Sequence, residues 1–196
     1  MIKGPKKLIA LSSPSGGGKS TVVRHVMERY PDLFFSISAT TREKRPGETN
    51  GIEYYFITRE EFERKIQEGE FVEYEEIFGN YYGTLKTEID KLINAGIKII
   101  FDIDVKGAIS IRREYPEESL LIFLQPPDLD TLEQRLRRRH TESEQELQRR
   151  LARAKLELQF AKSFDYVVYN FDLEETFKRI DEILAEYLGP PAVSEK

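Results

Sequence analysis

Apolar positions recur along this chain in two periods, and the switches between them divide it into strands and helices. Leu8-Ile9-Ala10-Leu11 is an apolar run of strand length; after a turn, Val22, Val26 and Tyr30, with Val23 and Met27 beside them, follow helical spacing as far as Tyr30-Pro31. Residues 33–37 predict a second strand and 54–57 a short third. Thr58-Arg59-Glu60-Glu61 has the form of a capping box, opening a helix that carries Phe62 and Ile66 and stops at Gly69. Residues 71–78 and Tyr81-Tyr82, separated by Gly79-Asn80, predict a hairpin. A helix over 87–95 buries Ile89, Leu92 and Ile93 and ends at Gly96; another is predicted over 107–115. Residues 98–102 and 119–124 read as buried strands, the first ending in Asp102, and 166–169 as the last strand. Asp130 is the expected cap of a helix with Leu132 and Leu136. Ser143 to Glu146 is a second capping box, before a long helix with Leu147, Leu151, Ala154 and Leu158. A last amphipathic helix presents Phe177, Ile180, Leu184 and Leu188 until Gly189-Pro190-Pro191 breaks it.

Strands alternating with helices predict an α/β fold, a doubly wound parallel sheet with its ligands at the carboxyl ends of the strands. At 196 residues one domain with small inserted lobes is expected, and residues 38–51, rich in Thr, Arg, Lys, Gly and Pro, mark a functional loop or such an insertion. There is no cysteine, which excludes disulfides and Cys-based zinc sites, and His25 and His140 stand in no metal-ligand spacing. No run approaches the ~20 apolar residues of a membrane span, and the first residues lack a signal-peptide apolar region, so a soluble cytoplasmic protein with no membrane partner is expected. A net charge of −5 argues against a general nucleic-acid binder.

The chemistry starts at Ser13-Pro14-Ser15-Gly16-Gly17-Gly18-Lys19-Ser20-Thr21, between the first strand and the first helix. Consecutive glycines let backbone N–H groups wrap an anion, and the helix start adds its own N–H groups. In such a phosphate loop Lys19 reaches the β- and γ-phosphates and the Ser20 hydroxyl completes a Mg²⁺ shell. Ser13 stands where the strict pattern asks for glycine, and a plain Gly/Ser/Pro loop with an exposed lysine is the competing reading. Further on, Arg42 and Arg45 lie in a polar loop, with Tyr54, Tyr81 and Tyr82 nearby in sequence. Guanidinium forks and tyrosyl hydroxyls suit a monophosphate dianion; a solvated basic loop is the alternative.

The segment 36–56 (Ser-Ile-Ser-Ala-Thr-Thr-Arg-Glu-Lys-Arg-Pro-Gly-Glu-Thr-Asn-Gly-Ile-Glu-Tyr-Tyr-Phe) resembles the signature of guanylate kinases. So do Gly69-Glu70-Phe71-Val72-Glu73-Tyr74, Gly79-Asn80-Tyr81-Tyr82-Gly83-Thr84 and Asp102-Ile103-Asp104, in matching order as far as Asn170. The resemblance implies a P-loop NTPase-type fold with a five-stranded sheet, in which 1–37, 89–136 and 147–188 are core, 38–88 a GMP-binding lobe, 137–146 a lid and 189–196 a disordered tail. It implies that Ser38, Arg42, Arg45, Tyr54 and Tyr82 bind the GMP phosphate, and that Glu73 and Thr84 read guanine with Asp104 alongside. Glu73 can accept from guanine N1–H and N2–H₂ while the Thr84 hydroxyl donates to O6; adenine leaves those groups unpaired. On the donor side it implies Arg135, Arg139 and Arg150 on the ATP phosphates, Asn170 near the adenine, and Asp102 holding a water of the Mg²⁺ shell. Lys106 and His140, like Ser13, depart from the family's usual residues. The implied reaction is in-line phosphoryl transfer from ATP to GMP, and to dGMP, by a monomer or homodimer, with Lys19, Arg42, Arg135, Arg139 and Arg150 as the catalytic charges. A related kinase of ribose bisphosphates and a kinase-dead scaffold domain share the fold; the first has no need of Glu73 and Thr84, and the second typically loses the loop lysine.

Overall fold

The computed structural model describes residues 6–77, 79–137 and 144–191. The chain runs through β1 (Leu8–Ser12), α1 (Lys19–Arg29), β2 (Leu33–Phe35), β3 (Ala39–Thr40), β4 (Tyr55–Phe56), α2 (Arg59–Gln67), β5 (Phe71–Ile77) and β6 (Asn80–Leu85). It continues with α3 (Lys86–Asn94), β7 (Lys98–Asp102), α4 (Val105–Glu114), β8 (Ser119–Gln125), α5 (Leu129–Arg137), α6 (Glu144–Leu158), β9 (Tyr166–Tyr169) and α7 (Leu173–Leu188).

The strands form a five-stranded parallel sheet in the order β2-β7-β1-β8-β9 and a four-stranded mixed sheet in the order β4-β3-β6-β5. The period of two decides what each face of the parallel sheet buries. Ile9 and Leu11, with Ile100, Leu120, Ile122 and Leu124, pack under Val22 and Val26 of α1 and Ile180 and Leu184 of α7. Their alternates Leu8, Ala10, Ile99, Phe101, Leu121 and Phe123 pack under Ile89 of α3 and Ala108 and Ile111 of α4. Both faces of β1, β7 and β8 are covered, so these three strands are apolar almost throughout, whereas the edge strands β2 and β9 leave Phe35, Val167 and Tyr169 exposed. The mixed sheet has its own small core, where Phe62 of α2 stacks on Phe71 at 4.2 Å and on Tyr81 at 5.1 Å between ring centres.

Three local expectations are corrected. The second strand ends at Phe35 rather than residue 37, because the chain turns to add Ala39–Thr40, expected as loop, to the other sheet. The helix expected over 107–115 starts at Val105, capped by Asp104, whose carboxylate accepts from the Gly107 N–H at 2.8 Å. Gly107 lies within that first turn, where a Cβ would meet Ile103 Cγ1 at 2.5 Å. The cap of α5 is Asp128, accepting from the Thr131 N–H at 2.6 Å, with Asp130 inside the first turn. The capping box at Ser143, the middle of the expected lid and the end of the expected tail fall outside the described residues.

Phe62→Ala removes the ring at the centre of the mixed sheet's core. A loss of about 3–5 kcal/mol in urea unfolding is expected; a loss under ~1 kcal/mol would show that the cluster contributes little.

Candidate active site

Because β1, β7, β8 and β9 run parallel, Ser12, Asp102, Gln125 and Tyr169 end along one edge of the sheet. Residues 13–21 leave β1 at that edge and line a hollow of about 200 Å³. Gly18 caps α1 at φ 92°, in the left-handed region, and a Cβ there would lie 2.5 Å from Asn170 Nδ2. That amide donates to the Gly17 carbonyl at 2.8 Å, while Asn170 Oδ1 accepts from the Thr176 hydroxyl at 3.2 Å; both residues are buried. Asn170 thus ties the end of β9 to the loop and holds the Gly17 carbonyl, and its backbone carbonyl accepts from Arg135 Nη2 at 3.1 Å. Lys19 Nζ donates to the Ile103 carbonyl at 2.7 Å and pairs with Asp102 Oδ1 at 2.9 Å. The Ser20 hydroxyl donates to Asp102 Oδ2 at 3.4 Å, so Lys19, Ser20 and Asp102 meet beside the loop. Among the described residues no group of three or more His, Asp or Glu could cage a metal.

On the mixed sheet, Arg42 stands over the rings of Tyr54 and Phe56, at 5.4 and 5.6 Å from their centres, and Tyr54 meets Tyr82 edge-on at 5.8 Å. Ser38 is beside them, its carbonyl accepting from the Tyr55 N–H at 2.9 Å. Arg42 is gripped by Glu48, Nη2 to Oε1 at 2.7 Å and Nη1 to Oε2 at 3.1 Å, and the same carboxylate accepts from the Arg45 N–H at 2.7 Å. The Arg45 side chain is exposed. Glu48 was missed by the sequence reading, although its place three residues after one arginine and six after another was the available signal.

Glu73 and Thr84 are cross-strand partners on β5 and β6. The Thr84 hydroxyl donates to Glu73 Oε1 at 2.6 Å, so its single proton is turned to the carboxylate and its lone pairs remain for a ligand. Burial pushes the Glu73 carboxyl up to about 7; the Thr84 bond opposes the shift, and the charges of Asp104 and Glu75 add to it. Both Asp104 oxygens are engaged, Oδ1 by the Gly107 N–H at 2.8 Å and Oδ2 by Arg153 Nη2 at 2.9 Å. A cleft of about 480 Å³ between β5 and α4 is lined by Glu73, Glu75 and Asp104.

Arg135 and Arg150 are half-buried on α5 and α6, and Arg139 lies outside the described residues. Arg137 spans from Glu133 on its own helix, at 2.7 Å, to Glu144 at the start of α6, at 2.9 Å.

The Guanylate kinase family model matches residues 5–187. A guanylate kinase of Chlorobaculum tepidum is 49% identical over 94% of this chain and 95% of its own length. One of Chlorobium luteolum is 44% identical over 93% of each. The crystal structure of guanylate kinase from Anaplasma phagocytophilum, 34% identical, superposes with a TM-score of 0.67 over 95% of this chain and 89% of that one. With the parallel sheet, the phosphate loop at its edge and these likenesses along nearly the whole length, the chain belongs to the guanylate kinase family.

Proposed function

We infer that this chain catalyses ATP + GMP ⇌ ADP + GDP. The observation that carries this reading is the Glu73–Thr84 pair, a half-buried carboxylate oriented by a buried hydroxyl, in a chain whose other sheet ends in a phosphate loop. Guanine presents N1–H and N2–H₂ to such a carboxylate, and the Thr84 lone pairs suit the 2-amino group. Ser38, Arg42, Arg45, Tyr54 and Tyr82 would hold the GMP phosphate, in line with the Arg42–Tyr54–Tyr82 cluster. The lobe over 38–88 is then the acceptor side and 137–146 the lid. dGMP, with the same base and phosphate, is taken as a second acceptor.

Residues 13–21 would cradle ATP, with Asn170 beside them. Lys19 exchanges Asp102 and the Ile103 carbonyl for the β- and γ-phosphates, and Arg135, Arg139 and Arg150 add positive charge. The residues fit Mg²⁺ carried mainly by the nucleotide, since one hydroxyl and one carboxylate meet beside the loop: Ser20 would hold the ion directly and Asp102 through water. Bound there, the ion neutralises charge on the β- and γ-phosphates. A GMP phosphate oxygen attacks the γ-phosphorus in line, and the bond to the ADP oxygen breaks as the new one forms. The protein's part is alignment, charge and exclusion of water.

A coupled assay with ATP, Mg²⁺ and each nucleoside monophosphate tests the reading: GMP turnover far above AMP, CMP and UMP is expected, and no GMP turnover overturns it. Lys19→Ala should lower kcat by about two orders of magnitude or more with an unchanged circular dichroism spectrum; near-parent turnover contradicts the assigned role. Glu73 must be ionised to accept from guanine. With its carboxyl at about 7 in the free protein, GMP affinity rises with pH through that value and then levels off. The GMP phosphate titrates near ~6 and adds its own slope, so the comparison is with Glu73→Gln. The parent's KM for GMP should fall more steeply between pH 6 and 8 than the variant's, and equal slopes would refute the assignment. For folding the sign is reversed: a carboxyl raised from 4.5 to about 7 stabilises the fold fully below 4.5, and that contribution is lost as pH rises through 7.

A further inference from the structure

Arg153 lies on α6, one turn beyond Arg150, and its guanidinium reaches carboxylates on three elements. Nη2 donates to Asp104 Oδ2 at 2.9 Å, Nη1 to Glu75 Oε1 at 3.2 Å and Nε to Glu157 Oε1 at 2.7 Å. Asp104 caps α4 against the parallel sheet, whereas Glu75 is on β5 of the mixed sheet, two residues from Glu73 and so on its face. Glu157 anchors the guanidinium from its own helix; its side chain is 13% exposed, and its buried Oε2 has no hydrogen-bond partner among the described residues. Glu75 and Asp104 line the cleft with Glu73, where Lys106 and Arg113 are the other charged residues.

We propose that Arg153 is a positioning residue for the acceptor nucleotide: it straps α6, the helix carrying the donor-side Arg150, to the strand carrying Glu73. This rests on the GMP kinase reading above. A guanidinium suits the task because its three nitrogens point in fixed, coplanar directions; an ammonium is a point charge on a flexible stem. Exposed ion pairs add little to stability, so the strap acts on where β5 sits relative to α6 and α4. With Arg153 removed, Glu75 and Asp104 lose a shared cation beside Glu73, and β5 loses its tie to α6.

The test is steady-state kinetics of the full chain, varying ATP and GMP separately, for the parent, Arg153→Ala, Arg153→Lys, Glu75→Ala and the double variant Arg153→Ala/Glu75→Ala. Arg153→Ala should raise KM for GMP about two- to fivefold, the scale of exposed ion pairs, with KM for ATP close to the parent's. Glu75→Ala, which leaves the Asp104 and Glu157 arms intact, should show the same selective rise. The double variant should be no worse than Arg153→Ala alone, and Arg153→Lys should restore only part of the loss. Equal rises for both nucleotides, an unchanged KM for GMP, or additive losses overturn the proposal. A parent that fails to phosphorylate GMP sinks the functional reading itself; a competent parent whose variants match it sinks only the strap.

Discussion

Lys19 and Asp102 meet at 2.9 Å because β1 and β7 are parallel neighbours with Leu11 opposite Asp102. From that register the rest of the site follows. Parallel strands deliver their carboxyl ends to one edge, and α1 starts there with no side-chain cap on its first N–H groups. A loop of three glycines can turn tightly enough to add more N–H groups, and Asn170 from the end of another strand holds one of its carbonyls. The hollow is therefore an outcome of strand direction before it is an outcome of any single side chain.

The second constraint is charge. A chain of net charge −5 that takes two phosphate-bearing nucleotides has to keep its cations in place between turnovers. Lys19 rests on Asp102, Arg42 on Glu48 and Arg153 on Asp104, Glu75 and Glu157. Pairs of this kind that keep contact with solvent are individually modest. Exchanging one for a charge-assisted bond to phosphate is therefore not opposed by a large loss, and the acid left behind still steers the side chain. Glu48 shows this plainly: one carboxylate grips the Arg42 fork and fixes the loop at the Arg45 N–H.

Much of this was legible in the sequence, and what was not has physical causes. The apolar runs at 8–11, 99–101 and 120–124 are of strand length and bounded by turns, which made a parallel sheet legible, while its five strands came from the family resemblance. The phosphate loop was legible because Gly-Lys-Ser after a strand has few other uses. Ala39–Thr40 was not, since two residues carry no period and only pairing with β4 and β6 makes them a strand. The cap of α5 was misplaced because Asp128 and Asp130 are equivalent to a propensity argument, and only the Thr131 N–H tells them apart. The partners of Arg153 lie 78 and 49 residues away on other elements, a relation no local pattern encodes.

On the proposed reading, Glu73 draws specificity from an unfavourable group rather than a favourable one. A carboxyl drawn largely out of water beside two other acids resists ionisation, and here it is held at about 7. An ionised Glu73 accepts only, which suits guanine N1–H and N2–H₂ and leaves adenine's N1 lone pair facing a negative charge. A protonated Glu73 would instead offer a donor that adenine N1 can accept. On that reading, discrimination between the purines depends on what favours the charged carboxylate, the Thr84 hydroxyl on Oε1, against the burial and the neighbouring acids that oppose it. On the proposed reading base recognition draws on β5, β6, the start of α4 and, through Arg153, on α6.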